Sequence, residues 1–195
     1  MDRLTSRRLI LRPVAEGDFA NLHRWRNSAT YLKMFTSKRT IVSEAHFREE
    51  QRRCFSRGRH LQFIIERKTD RASLGTIFSH THSAADGYAF INTFIDDPFV
   101  GRGYGAEASI ILSMHLFESF SLHKIYFEAF AYNRPSLAVM QGAGLAEEGV
   151  FREHRYFDGQ RHDVFRFALY RDNCAKIRSL YHRLRAVRAA ATERP

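Results

Sequence analysis

Val100-Gly101-Arg102-Gly103-Tyr104-Gly105 stands between a strand-like run, Tyr88 to Asp96, closed by Pro98, and a run from Gly105 to Phe120. In the second run Ala108, Ile111, Leu112 and Leu116 recur at helical spacing. A helix N-terminus carries unpaired backbone N–H groups and a partial positive charge, so phosphates bind there when no side chain blocks the approach. Gly101, Gly103 and Gly105 remove the block, and the amides from Gly101 to Ala106 supply donors. Arg102 adds a fixed charge, and Tyr104 can pack back into the core. The segment lacks the Gly-Lys-Ser/Thr of a Walker A loop and does not keep the Gly-x-Gly-x-x-Gly spacing of a dinucleotide fold.

Working outward, Arg8 to Pro13 alternates as a half-buried strand. Phe19, Leu22 and Trp25 recur at threes behind Asp18, a candidate cap, and Ser43 can cap a second helix reaching about Arg57 and ending at Gly58. Leu61 to Glu66, Leu74 to His80 and Tyr88 to Asp96 form an antiparallel meander with turns at Thr69-Asp70-Arg71 and Ala85-Asp86-Gly87. After the glycine loop and its helix come a strand from Lys124 to Ala131, a short helix from Pro135 to Gly142, and a hairpin from Val150 to Phe157 and Val164 to Tyr170 around Asp158-Gly159. Strand, glycine loop, helix and strand make a right-handed crossover set into an antiparallel sheet, an α+β fold. Beyond Arg171, the stripe Ile177, Leu180, Tyr181, Leu184 and Val187 is flanked by Arg178, Arg183, Arg185 and Arg188, which predicts a basic amphipathic helix over 172–195 appended to a domain over 1–171. Such a stripe docks on the domain or on a second copy of the chain.

The 195 residues suit one domain with a sizeable core, and 44% hydrophobic with 13% aromatic residues fits a packed globular chain. The longest apolar runs, such as Phe63-Ile64-Ile65, are far shorter than the roughly 18 to 20 residues that span a bilayer. With no signal-peptide pattern at the N-terminus, the expected location is the cytoplasm and no membrane partner is expected. Cys54 and Cys174 form no metal spacing and are expected to stay reduced. His80 and His82 alternate onto one face of a strand, yet no third ligand stands at a sensible spacing, so no metal is expected. The net charge of +10 suits a polyanionic ligand or an acidic partner, while the spread of Lys and Arg and the lack of a nucleic-acid motif argue against nucleic acid.

Residues 100 to 105 resemble the Gln/Arg-x-x-Gly-x-Gly/Ala signature of the GNAT acetyltransferases, matching at Gly103 and Gly105 but carrying Val100 in the first position. Asn133-Arg134-Pro135-Ser136, Val139-Met140 and Gly144-Leu145 are similar to the Asn-x-x-Ser helix of the RimJ/RimL-type members. Glu148-Gly149, Asp158-Gly159-Gln160 and His162-Asp163-Val164 resemble the terminal hairpin of that branch. The likeness covers roughly residues 5 to 171. Trp25-Arg26-Asn27, Met34-Phe35-Thr36, Ile41 and Glu44-Ala45-His46-Phe47 also look like the first helices of enzymes that acetylate amino sugars on nucleotide carriers.

The resemblance implies a mostly antiparallel sheet splayed between its fourth and fifth strands, with acetyl-CoA or another acyl-CoA lying in the splay as co-substrate. Its pyrophosphate would meet Val100, Gly101, Arg102, Gly103, Tyr104, Gly105 and Ala106. Its pantetheine would meet the backbone of Phe94 and Ile95, with Asn133 nearby. The tyrosine donor of many GNAT enzymes is replaced here by Met140, and the fourth-strand glutamate by Phe90, with Asn92 the nearest polar side chain. By the same likeness, Ser136 would be the proton donor and Glu153 the base, with His154 as its rival and Arg155 where a carboxylate would stand. The implied activity is acyl transfer to a primary amine of a small molecule such as an amino sugar. Acetylation of a protein N-terminus and a non-catalytic module binding coenzyme A or nucleic acid are the alternatives.

Overall fold

The computed structural model describes residues 4–35, 40–56 and 61–186. Thr36, Arg57, Gly58, Val187 and Arg188, named above, lie outside the described residues. In chain order the elements are β1 (Leu9–Pro13), α1 (Phe19–Arg26), α2 (Ala29–Met34), α3 (Glu44–Ser56), β2 (Leu61–Arg67), β3 (Ser73–Ser83), β4 (Tyr88–Ile95), α4 (Tyr104–Ser119), β5 (Lys124–Phe130), α5 (Arg134–Ala143), β6 (Ala146–Phe157), β7 (Gln160–Tyr170) and α6 (Ala175–Arg185). They build one seven-stranded sheet in the order β1-β2-β3-β4-β5-β7-β6, antiparallel except where β4 meets β5. The α+β expectation holds.

Alternation divides the sheet into two faces. Ala89 and Ile91 of β4 join Ile77 of β3, Ile125 of β5 and Ala108, Ile111 and Leu112 of α4 in the main core. Phe94 of β4 points the other way and joins Leu22, Trp25, Phe47 and Ile64 in a second core under α1, α2 and α3. Each face is thus sealed by helices whose apolar positions match the strand period. Ile177 and Tyr181 of α6 are buried in the main core, and the Arg7 amide donates to the Leu184 carbonyl at 2.9 Å. The apolar stripe of the C-terminal helix therefore docks on its own chain. No described helix is long and apolar enough to cross a membrane.

Four local expectations change. Asp18 does not cap α1: Arg12 Nη1 and Nη2 both donate to its carboxylate at 2.7 Å, and so does the Ala15 amide at 2.8 Å. An unexpected helix, α2, follows Ser28, whose hydroxyl accepts from the Tyr31 amide. The hairpin strands are longer than expected because β6 starts at Ala146 and tolerates irregular register at Glu147/Gly149 and Phe151/Arg155. Thr81 takes φ 50°, and the β3 register shifts between His80 and Ser83. His80 accordingly packs beside Phe78 and Phe90, whereas His82 bonds Ser79 and meets Phe120 at the end of α4. The two imidazoles leave to opposite faces, and among the described residues no group of three metal-ligating side chains exists.

Candidate active site

The parallel ladder between β4 and β5 is short. Tyr88, Ala89 and Phe90 pair with Lys124, Ile125 and Tyr126, and beyond Phe90 and Tyr126 the strands part. β4 stays paired to β3 as far as Ile95, and β5 to β7 as far as Phe130, so the two arms of the V are held by their outer neighbours. One backbone edge of β4, from Ile91 to Ile95, is left facing the opening. Unpaired N–H and C=O groups at such an edge are available to a ligand that lies along it.

The glycine loop enters α4 at the mouth of this V. Gly101 and Gly103 take φ values of 81° and 78°, and Gly103 is the N-cap. Only a residue without a Cβ adopts this left-handed backbone at little cost. A Cβ on Gly105 would come within 3.4 Å of Ile95, so the helix start lies directly against β4. Tyr104 is buried as expected, with the Arg8 guanidinium 4.8 Å from its ring centre. Val100 and Arg102 are exposed.

Sequence reasoning missed the two clamps that fix the loop. Glu107, in the first turn of α4, is buried and accepts from the Ser6 hydroxyl and from Arg8, whose Nε lies at 2.7 Å, while Arg8 Nη1 also donates to the Arg102 carbonyl at 3.3 Å. Asp96, at the end of β4, accepts from Arg24 Nη2 at 2.7 Å. Burial works against the ionised Asp96, and the bonds led by that from Arg24 outweigh it, holding its carboxyl below the usual range. Both clamps join residues more than 70 positions apart. The cue in sequence was at most an acidic residue in a helix first turn, a feature with no partner attached.

This arrangement agrees with a family match: the model of the acetyltransferase (GNAT) domain matches residues 8–146. The chain belongs to the GNAT acetyltransferase family. The Bacillus subtilis protein YdaF, provisionally named a ribosomal N-acetyltransferase, is 30% identical over 100 residues, 51% of this chain. The chain spans about half the length of that curated relative, 55%. Among solved structures, RimL, a ribosomal L7/L12 alpha-N-protein acetyltransferase in complex with coenzyme A, superposes with TM-score 0.75 at 20% identity, covering 85% of this chain and 95% of that one. The spermidine N-acetyltransferase of Vibrio cholerae with coenzyme A and spermine gives TM-score 0.77 at 21% identity, covering 84% and 96%. At these identities the likeness is one of fold. What the family match gives the chain is a GNAT acetyltransferase domain over residues 8–146.

On the β5 arm of the GNAT domain, Asn133 rather than Ser136 caps α5: its Oδ1 accepts from the Ser136 amide at 3.3 Å. The Ser136 side chain is half-buried in the first turn of α5 and has no capping task. Glu153 lies on the irregular stretch of β6 with φ 51°, its side chain exposed and its amide donating to Asp163 Oδ1 at 2.8 Å. The Ala131 amide donates to the Asp163 carbonyl, so Glu153 and Ser136 belong to the same end of the sheet. Arg155 is buried, its guanidinium 4.8 Å from the Phe130 ring centre. His154 is exposed and packs near Phe151. The Phe90 ring lies tilted against that of Tyr126 at the apex of the V, their centres 4.9 Å apart, and Asn92 Nδ2 bonds His80 Nε2 at 3.0 Å.

A strap joins the two arms. Tyr31 and Phe35, from α2 and its end, pack on Phe94 of β4. Across the opening, the Tyr132 hydroxyl donates to the Lys33 carbonyl at 2.8 Å, and the Lys33 ammonium lies 5.4 Å from the Phe157 ring centre. These residues, 99 positions apart, give no joint signal in the sequence.

Proposed function

We propose that this GNAT domain transfers an acetyl group from acetyl-CoA to the primary amine of a small molecule, an amino sugar or a comparable metabolite. The observation that supports the small acceptor is the strap from Lys33 to Tyr132, which ties the end of α2 to the turn after β5; in this reading the acceptor enters beside it. An acceptor passing beside it is limited in width. A flexible protein N-terminus is the second reading, favoured by the RimL fold and the YdaF likeness.

In this reading the pyrophosphate of acetyl-CoA takes the amides from Gly101 to Ala106, with Arg102 adding charge, and the pantetheine lies along Phe94 and Ile95 with Asn133 on the facing arm. The amine attacks the thioester carbonyl, the carbon–sulfur bond breaks, and the thiolate takes a proton from the Ser136 hydroxyl, which regains one from water. Glu153, or water that it orders, receives the proton released by the amine. Alignment along the fixed β4 edge supplies the remainder of the acceleration.

The test is acceptor-dependent thiol release from acetyl-CoA with amino-sugar nucleotides, polyamines and N-terminal peptides offered separately. Turnover with the small amines and little with peptides is expected, and the reverse order establishes the second reading. Ser136→Ala and Glu153→Gln should each lower turnover roughly ten- to a thousandfold, the scale of one general acid or base. If both keep wild-type turnover across the pH range, this pair is ruled out.

A further inference from the structure

Glu128 stands two residues beyond Tyr126, the last β5 residue paired to β4, and on the same face as Tyr126. Asn92 holds the matching place on β4, two residues beyond Phe90. Glu128 is therefore the carboxylate at the fork of the V, on the face opposite the α4 core. Its cross-strand partner on β7 is Arg166. Arg166 Nε and Nη2 both donate to one oxygen, Glu128 Oε1, at 2.9 and 2.7 Å. Among the described residues no donor reaches Oε2.

The guanidinium that fixes this carboxylate is itself fixed. It lies 5.0 Å from the ring centre of Phe90, 5.3 Å from that of Tyr126 and 4.8 Å from that of Phe151. Cation–π attraction and two bonds to Oε1 give Arg166 one position, and Arg166 in turn gives Glu128 one position. The side chains of Glu128 and Arg166 remain about one-third exposed, so an acceptor reaches Oε2 from solvent. A carboxylate oxygen with unused hydrogen-bonding capacity, flanked by aromatic rings, makes a site for the primary ammonium of a small amine.

We propose that Glu128 is the docking group for the acceptor, binding its primary ammonium through Oε2, and that Arg166 is a positioning residue that holds the carboxylate at the fork. The proposal rests on the small-amine reading above and names the chemistry that its acceptor presents. It assigns binding to Glu128 and leaves proton uptake to the hairpin.

Butylamine serves as the probe in steady-state assays at saturating acetyl-CoA. Glu128→Gln, which keeps the shape and removes the charge, should raise KM for butylamine roughly ten- to a hundredfold, the scale of one charged hydrogen bond. The melting temperature and acetyl-CoA affinity of that variant should stay at wild-type values. Arg166→Gln should also raise KM for butylamine, and Arg166→Lys should recover part of the loss, a graded response that a purely structural pair would not give. Wild-type KM in Glu128→Gln overturns the proposal and leaves the small-amine reading standing. Absence of thiol release with butylamine and every other small amine overturns that reading and this proposal with it.

Discussion

Replacing Gly75 with Ala tests how tightly the pantetheine edge of β4 is set. Gly75 lies on β3 opposite Ile95, and a Cβ there would stand 2.0 Å from the Phe94 carbonyl oxygen and 2.9 Å from the Ile95 Cα, against a floor of 3.0 Å for real contacts. Both neighbours are backbone, so no side chain can swing away. The strands must part by about 1 Å at Phe94 and Ile95, the two residues proposed to meet the cofactor arm. Overpacking of this kind costs about 1–3 kcal/mol. For a chain of this length that is a fall of roughly 2–12 °C in melting temperature. Displacing the edge by an ångström should also weaken acetyl-CoA binding roughly ten- to a hundredfold. Thermal unfolding and calorimetric titration with acetyl-CoA read the two effects on one sample. Gly142→Ala is the control, because a Cβ at that position in α5 meets nothing within 4 Å, and it should be neutral or stabilising by up to about 1 kcal/mol. Wild-type melting and wild-type affinity in Gly75→Ala would refute the claim that the β4 edge is rigidly held for the ligand.

Gly103→Val puts a β-branched residue at φ 78°, which costs about 1–2 kcal/mol, and should lower acetyl-CoA affinity more than roughly tenfold in calorimetry; unchanged affinity removes the glycine loop from the site. A stop after Asp172 removes the buried Ile177 and Tyr181, about 1.5–3 kcal/mol each, and should lower the melting temperature; light scattering then reports the uncovered α4 surface as association. The bond from Arg12 lowers the Asp18 pKa, against the effect of burial. The contribution of Asp18 is therefore full above the ordinary aspartate pKa and is lost as pH falls through the depressed one. Asp18→Asn should flatten the fall in melting temperature below about pH 4, and an unaltered acid limb counts against the pair.

The parts of the molecule legible in the sequence are those governed by local period and local chemistry. The glycine loop, the helix behind it and the strand order around it follow from Pro98, three glycines and the spacing of Ala108, Ile111 and Leu112. The short helix at Ala29–Met34 escaped because six residues give too few turns to establish a period, although Ser28 carried its cap signal. His80 and His82 were misassigned to one face because a single left-handed residue, Thr81, breaks an alternation that the sequence keeps. Among the proposed site residues, motif spacing alone put Gly103 and Asn133 at the starts of α4 and α5, where each is the N-cap. The Arg8–Glu107 and Arg24–Asp96 clamps, the Lys33–Tyr132 strap and the Glu128–Arg166 pair could not, since each depends on which distant strand or helix folds back beside it.

The most direct test is a competition in one tube. The protein is given acetyl-CoA with equimolar butylamine, an amino-sugar nucleotide and a peptide with a free N-terminus, and mass spectrometry follows where the acetyl group goes. The account predicts acetylated small amine while the peptide stays largely unmodified, with the product lost when Gly103→Val replaces the wild-type chain. Acetyl groups collecting on the peptide, or on no acceptor at all, would contradict it.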